Sequence, residues 1–375
     1  MLAAARAELG DAPLATGPLA RAIVDRSRRY TSDRERLAAP ADRTADMAAR
    51  AAFFTIADAM KLAVPLGELA GRGALPARRP LRVVDLGAGC GAMSLGLVAA
   101  LAGEPGASLE VVAIDRDAAA LAIAAAAIRD LAARSGVEAT VTVRVADAAA
   151  AVASAAAAGP LGEADLVVIG SLLNELPPGP ALAVALQALG AIAEDGAVIV
   201  IEPALRDTSR ALHEIRDAIL ARGTGHVFAP CTRRGAPCPA LADPDDWCHE
   251  DRPLRLPPRT AELARLTHLR DSGMKFAYLV LRRQPLGLVP EGGQAWRVVG
   301  VPRPEKGKLS VIGCSDHGRV PIRLLRRHRS AANRAVERAE RGDVLVVGAA
   351  PDEQRVELEA ATRVERIEPA RRPGS

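Results

Sequence analysis

Val83-Val-Asp-Leu-Gly-Ala-Gly-Cys-Gly91 sets three glycines at alternate positions, directly after the apolar run Leu81–Leu86 and just ahead of a helical pattern over Met93–Leu101. Glycine lets the chain turn sharply and lets a ligand approach the backbone. A loop at the carboxyl end of a parallel strand is where open α/β sheets bind ligands. The spacing is G-x-G-x-G, which differs from the G-x-G-x-x-G of dinucleotide binders. The blander alternative is a tight turn with ordinary helix caps. Cys90, inside the loop, reads as a small filler.

Outward from the loop the alternation continues. Leu109–Ile114 is a second strand ending in Asp115, and 117–134 a helix. Thr140–Val145 is a third strand ending near Asp147, and the Ala-rich segment 148–158 is good helix material. Asp165–Ile169 is a fourth strand, followed by Ser171-Leu-Leu-Asn-Glu-Leu-Pro177 and a helix over 180–192. Gly196–Ile201 is a fifth strand ending at Glu202-Pro203, with a helix over 207–222 behind it. Strands alternating with helices predict a parallel, doubly wound α/β sheet. Upstream, three- and four-residue apolar spacing around Ala48, Ala52, Ile56 and Met60 predicts helices within residues 1–80. The charged stretch Arg21–Arg43 reads as a solvated helical face, with a polyanion contact as the sharper reading. Phe276–Leu281 restores a strand. Short strands at Arg297–Val301, Leu309–Ile312 and Val344–Val347 predict a small β-rich domain over 291–375, after a core of 81–290.

The Asp-x-Gly-x-Gly-x-Gly run of Asp85, Gly87, Gly89 and Gly91 resembles motif I of class I S-adenosylmethionine (SAM)-dependent methyltransferases. That resemblance implies a Rossmann-like sheet. It also implies cofactor contacts from these four residues, from Asp115 to the ribose hydroxyls and from Asp147 near the adenine. Three acids at successive strand ends are a stronger signal than the glycines alone. Asn174 and Glu175 stand where such enzymes present the acceptor, as catalytic or positioning groups, or else as caps of the next helix. Methyl transfer depends mostly on positioning, so a missing general base does not disqualify the reading.

Composition narrows the classes. The 375 residues are 49% hydrophobic and 25% charged, as in globular proteins, and the length suggests two or three domains. Aromatics are only 2%, which argues against base-stacking platforms. A net charge of +4 is a mild bias toward anionic partners. Only four of the 49 basic residues are Lys, a preference that reflects a GC-rich genome rather than function. The N-terminus meets Arg6 and Glu8 with no long apolar run, so no secretory signal is read. The longest apolar stretch, Ala118–Ile128, is too short to span a bilayer. A cytoplasmic, monomeric protein without a membrane partner is expected.

Residues 229–258 break the rhythm with Pro, Cys and Asp. Cys231 and Cys238 are separated by six residues, Cys238 and Cys248 by nine, and Cys314 follows 65 residues on. Structural zinc usually shows C-x2–4-C pairs, and none is present. Four isolated thiolates suit an iron–sulfur cluster. Zinc, with His249 replacing a thiolate, and no metal at all stay open on chemistry alone. No C-x3-C-x2-C run argues for radical SAM chemistry.

Motif I, Asn174-Glu-Leu-Pro, Glu202-Pro203, Ala-Pro-Cys231, Pro-Cys238-Pro, Asp-Trp-Cys248-His and the later Cys314 occur in one order. Together they resemble the mitochondrial small-ribosomal-subunit methyltransferase-like assembly family and its bacterial relatives, over about residues 45–350. The resemblance implies a [4Fe-4S] cluster on Cys231, Cys238, Cys248 and Cys314, and association with small-subunit ribosomal RNA during assembly. Ala204 after Pro203, and Thr232-Arg233 after Cys231, depart from the family pattern on the acceptor side. Between Arg319 and Arg341, eight Arg face only Glu337 and Glu340, a local excess of +6. The plain reading is a solvated helix; the sharper one is contact with RNA phosphates. Two other functions compete: a non-catalytic assembly factor on the same fold, and a zinc-stabilised methyltransferase of a protein or small molecule.

Overall fold

The alternation that begins at Leu81 becomes a sheet. In the computed structural model the described residues are 1–31, 41–148, 150–151, 163–235, 237–270, 273–285, 294–349, 351–352 and 354–368. Strands β1 (Leu81–Leu86), β2 (Ser108–Asp115), β3 (Glu138–Val145), β4 (Ala164–Gly170) and β5 (Ile192–Pro203) pair in parallel in the order β3-β2-β1-β4-β5. The chain starts in the middle, runs out to β3, then returns to β4 on the other side of β1. The carboxyl ends of β1 and β4 therefore flank a topological switch point, where such sheets open a crevice.

Helices cover both faces, which is why the inner strands read as nearly unbroken apolar runs. Side chains alternate between faces along a strand. Leu166 and Val168 of β4 join the layer under the helices Ala92–Leu101 and Ala118–Ser135. Val167 and Ile169 face the helices Pro178–Ala191 and Arg206–Arg222. The Ala-rich segment expected to be helical lies largely outside the described residues.

The sheet is mixed rather than purely parallel. Strands β6 (His226–Ala229), β7 (Glu250–Arg252) and β8 (Met274–Arg282) complete it, and β8 runs antiparallel to β5, β6 and β7. β6 runs in the direction of β5, two strand positions away, and β8 returns to fill the position between them. The Cys-rich segment is the excursion between β6 and β8.

The N-terminal helices are laid onto this sheet. Leu62, Leu66 and Leu69 belong to the same apolar layer as β1. A further cluster joins Leu19, Ile23 and Phe53 to Cys90 of the glycine loop, Ile123 and Leu263. The stretch around Arg26 is a solvated face only on one side: Arg21, Asp25 and Arg28 are exposed, whereas Arg26 and Arg29 turn inward to the buried Asp46. Arg34 and Arg36 lie outside the described residues.

The tail forms a second sheet of β9 (Gln294–Val298), β10 (Arg303–Glu305), β11 (Lys308–Ser315), β12 (Gly318–Leu325), β13 (Val344–Val347), β14 (Val356–Leu358) and β15 (Val364–Ile367). Its order is β14-β12-β11-β9-β13-β15, with β10 on β11. Trp296, Val311, Ile322 and Leu345 form its core. The basic stretch is not a helix: its first part is β12, and short 3-10 turns at Arg326–His328 and Arg334–Arg338 follow. No described helix is long and apolar enough to cross a membrane.

Candidate functional site

The glycine loop leaves β1 with Gly87, Gly89 and Gly91 all at positive φ. Gly91 caps the helix Ala92–Leu101 at φ 86°, and a Cβ there would stand 3.0 Å from Ala124 Cβ. It permits close helix packing. Asp85 lies beneath the loop, 1% exposed, and accepts from both the N–H and the hydroxyl of Ser94 through Oδ2. Burial pushes its carboxyl up to about 6 against those bonds. Asp85 and Gly91 thus shape the loop, while Gly87 and Gly89 line the cleft above it.

That cleft, about 1730 Å³, opens over the carboxyl ends of the strands. It exceeds the several hundred Å³ of a typical small-ligand pocket, which leaves room for a cofactor and an acceptor together. Asp115 lines it, with Oδ2 accepting from Gly89 N (2.8 Å) and Oδ1 from Asp117 N (2.9 Å). Asp147 lines it too and caps Ala150 N at 3.2 Å.

Asn174 and Glu175 form the wall after β4, on a 3-10 turn. Beneath them Glu202, 1% exposed at the end of β5, accepts from Leu173 N (2.9 Å) and Asn174 Nδ2 (2.6 Å). Burial drives the Glu202 carboxyl up to about 7 although these donors favour its anion. Glu202 orients the Asn174 amide. Glu175 accepts from Tyr30 Oη at 3.1 Å and lies 3.8 Å from Arg116.

Several lining groups have no sequence motif. Lys61, buried, contacts Asp58 at 2.8 Å, and Arg270 shares that carboxylate at 2.7 Å. Burial, then Arg270, lower the Lys61 amine to about 8. Arg50 opens a π-helical turn, Arg50–Phe54, and reaches across to the glycine loop. π-Turns inside helices often mark functional sites. The N-terminal helices supply Tyr30, Arg50, Asp58 and Lys61 from far upstream. In an Arg-rich chain, nothing local distinguishes them.

The four cysteines predicted to act together line a second, smaller cavity, between the Cys-rich loop, β8 and the second sheet. Tyr278, Arg297 and Arg319 share it. Burial first, and then the neighbouring thiols, push Cys238 up to about 11, Cys314 up to about 12 and Cys248 well upward. Among the described residues, no three His, Cys, Asp or Glu side chains form a group arranged to hold a metal ion. Polar contacts fix the loop that carries three of the thiols. Arg210 donates to the carbonyls of Ala240, Asp243 and Asp246, and Arg216 to those of Arg233 and Gly235. Thr232 Oγ1 donates to the Cys314 carbonyl at 2.9 Å, tying the loop to β11. His213 Nε2 lies 3.1 Å from the Cys248 carbonyl. His249 lines the cavity, and its ring stacks on Trp247.

A profile of the family described as mitochondrial small ribosomal subunit Rsm22 matches residues 48–346. The chain belongs to this family. The Rsm22 match takes in the π-helical turn, the whole first sheet, the Cys-rich loop and most of the second sheet. Among solved structures, the chain is similar to magnesium protoporphyrin IX methyltransferase from Synechocystis PCC 6803 with bound SAM. The identity is 15%, over 70% of this chain and 97% of that one, with a TM-score of 0.37. It is also similar to a SAM-dependent methyltransferase from Geobacter sulfurreducens in complex with S-adenosyl-L-homocysteine. Here the identity is 16%, over 62% and 97% of the two chains, with a TM-score of 0.33. No curated protein matches the chain. The fold is a doubly wound α/β sheet with β8 antiparallel between β5 and β6, and a second, β-rich sheet is added to it.

Proposed function

We propose that this Rsm22-family chain binds SAM in the cleft over the glycine loop and carries a [4Fe-4S] cluster on Cys231, Cys238, Cys248 and Cys314. On this reading it acts on or with small-subunit ribosomal RNA during ribosome assembly, as a cytoplasmic protein. The observation that carries the proposal is that the distant Cys314 joins Cys231, Cys238 and Cys248 of the Cys-rich loop at one cavity, in a chain whose larger cleft lies over a glycine loop resembling motif I.

The donor set fits the cluster. Four thiolates are the usual ligands of a [4Fe-4S] centre. Burial raises their pKa values first, and the mutual repulsion of bare thiolates adds to it. A bound cluster relieves that repulsion, and its residual negative charge finds Arg319 in the same wall. Arg216 stands close enough to Cys231 and Cys238 to feel their charge.

The cleft fits the cofactor. Asp115 and Asp147 stand at successive strand ends for the ribose and adenine, with Gly87 and Gly89 beneath. When bound, SAM supplies an electrophilic methyl group. The chain's own residues orient the acceptor: Glu202 fixes the Asn174 amide, and Tyr30 and Arg116 hold Glu175. The N-terminal helices add Tyr30, Arg50, Asp58 and Lys61 to the wall of the cleft.

RNA contact would fall to Arg326, Arg327, Arg334 and Arg338. These are exposed, and no carboxylate of the described residues pairs with them. The other basic residues of that stretch are engaged: Arg319 with Asp246, Arg323 with Glu357, Arg329 with Glu337 and Arg341 with the His249 carbonyl.

Anaerobic purification with an absorption spectrum and iron, sulfide and zinc analysis tests the metal. About four irons and a broad band near 400 nm support the cluster. One zinc and no colour remove it. Calorimetric titration with SAM tests the cofactor. Binding without methylation of small-subunit RNA would favour the non-catalytic assembly factor.

A further inference from the structure

Among the described residues, Arg50 is the cation that lies against Gly89 of the glycine loop. Its Nη1 donates to Asp117 Oδ2 at 3.0 Å, and its Nη2 lies 3.2 Å from where a Cβ on Gly89 would stand. The side chain keeps 23% of its surface, and that surface faces the cleft. Burial opposes its charge, but Cys90, Asp115, Asp117 and Asp46 outweigh burial and hold the guanidinium charged.

The nearby acids are mostly committed elsewhere. Asp46 is gripped by Arg26 and Arg29. Asp115 takes two backbone N–H groups. Asp117 divides itself between Ala120 N and Arg50. Among the described residues, no acceptor but Asp117 hydrogen-bonds the Arg50 fork. Guanidinium presents five N–H donors in a rigid plane suited to two parallel bonds with a carboxylate. A partly desolvated fork with spare donors facing a cleft calls for an anionic acceptor.

Resting on the reading that this cleft holds SAM, we infer that Arg50 is the residue that recognises the α-carboxylate at the methionine end of the cofactor. The chemistry of SAM leaves no other candidate group. Its adenine and ribose are neutral, and its sulfonium and α-ammonium are cationic. Only the carboxylate is an anion. A phosphate of RNA is a poorer fit, because it brings no cation to offset the acids beside Arg50. The zwitterionic end of the cofactor suits a mixed wall: its ammonium can face Asp117 while its carboxylate takes the free side of the fork.

The test is calorimetric titration of the full-length chain with SAM and with decarboxylated SAM, which lacks only that anion. In the wild type, SAM is expected to bind about tenfold more tightly, as a charge-assisted bidentate pair warrants. In Arg50→Gln the preference should collapse to about twofold or less, through weaker SAM binding with the analogue little changed. Asp117→Asn, which can still cap the helix, should keep the preference. Thermal unfolding of each variant checks that it folds. The inference is overturned if Arg50→Gln keeps the preference or weakens both ligands equally, or if Asp117→Asn abolishes it. Should Arg50→Gln fail to fold, equal wild-type affinity for the two ligands would overturn it without any variant. If the wild type binds neither ligand, the SAM reading itself falls and this inference with it. Binding of both without preference sinks the inference alone.

Discussion

Glu202→Gln offers a quantitative check on the cleft wall formed by Asn174 and Glu175. Glu202 is buried, and burial raises its carboxyl from the usual 4.5 to about 7. The folded chain therefore keeps a proton that the unfolded chain releases. Stability owed to that proton is fully present below pH 4.5 and is lost as pH rises through 7. A shift of this size corresponds to about 3 kcal/mol. Glutamine has no proton to lose. It also cannot accept from both Leu173 N and Asn174 Nδ2, a cost of about 1–3 kcal/mol that does not depend on pH. The difference in unfolding free energy between variant and wild type should thus move by up to about 3 kcal/mol in favour of the variant between pH 4.5 and 7.5. Tyr30 and Lys61 lie near the same group, and both chains carry them, so their own titration largely cancels. Lys61, lowered to about 8, sets the upper limit of the useful range. Urea unfolding at half-unit pH steps measures the difference. A constant difference, or one that moves against the variant as pH rises, would refute the argument that Glu202 is a desolvated acid held under Asn174.

Three further outcomes are expected. Cys314→Ser should lose most of its iron on anaerobic purification, whereas Cys90→Ser, beside Met47 and away from the second cavity, should keep it; equal iron in both variants would remove the four-thiol site. Replacing Arg326, Arg327, Arg334 and Arg338 with Gln should weaken binding to small-subunit RNA uniformly and flatten its log–log salt dependence by roughly one unit for each phosphate no longer neutralised, read by filter binding across salt concentrations. Gly91→Ala should destabilise the fold by about 1–2 kcal/mol or more in thermal unfolding, since it puts a side chain at φ 86° and 3.0 Å from Ala124 Cβ.

Much of the first sheet was legible because its strands are short apolar runs closed by Gly or Asp. Leu81–Leu86 and Val344–Val347 have the expected bounds, and β2 and β4 differ by a residue at each end. The misses have physical causes. β5 starts at Ile192, where its pairing with Ala164 precedes an irregularity in register, and nothing in the local pattern announces that. β7 is Glu250-Asp-Arg252, three polar residues that are a strand only because β8 offers an edge. β12 sits inside the Arg-rich stretch, and its alternation of Val320, Ile322 and Leu324 with Arg was masked by charge. In the cleft, Asp115, Asp147, Asn174 and Glu175 were readable from their strand ends. Arg50, Lys61 and Tyr30 were not, because their roles depend on how the N-terminal helices land on the sheet.

The second cavity shows why the chain needs its added parts. Cys231, Cys238 and Cys248 come from the loop between β6 and β8, but Cys314 comes from β11, where it pairs with Arg297 of β9. Arg297 is buried and donates to Glu68 of an N-terminal helix and to Tyr278 of β8, with Glu250 of β7 at 3.5 Å. One guanidinium thus ties four elements together beside the thiols. A buried cation so placed is costly unless every partner is present. Its network therefore closes only when the second sheet has docked on the first. The same docking brings Cys314 to the other three cysteines. On the proposed reading, a complete four-thiol site reports that the N-terminal helices, the sheet, the Cys-rich loop and the β-rich tail have all reached their places. Metal uptake is then a late step of folding, and a chain lacking the β-rich tail should fail to hold a cluster even with Cys231, Cys238 and Cys248 intact.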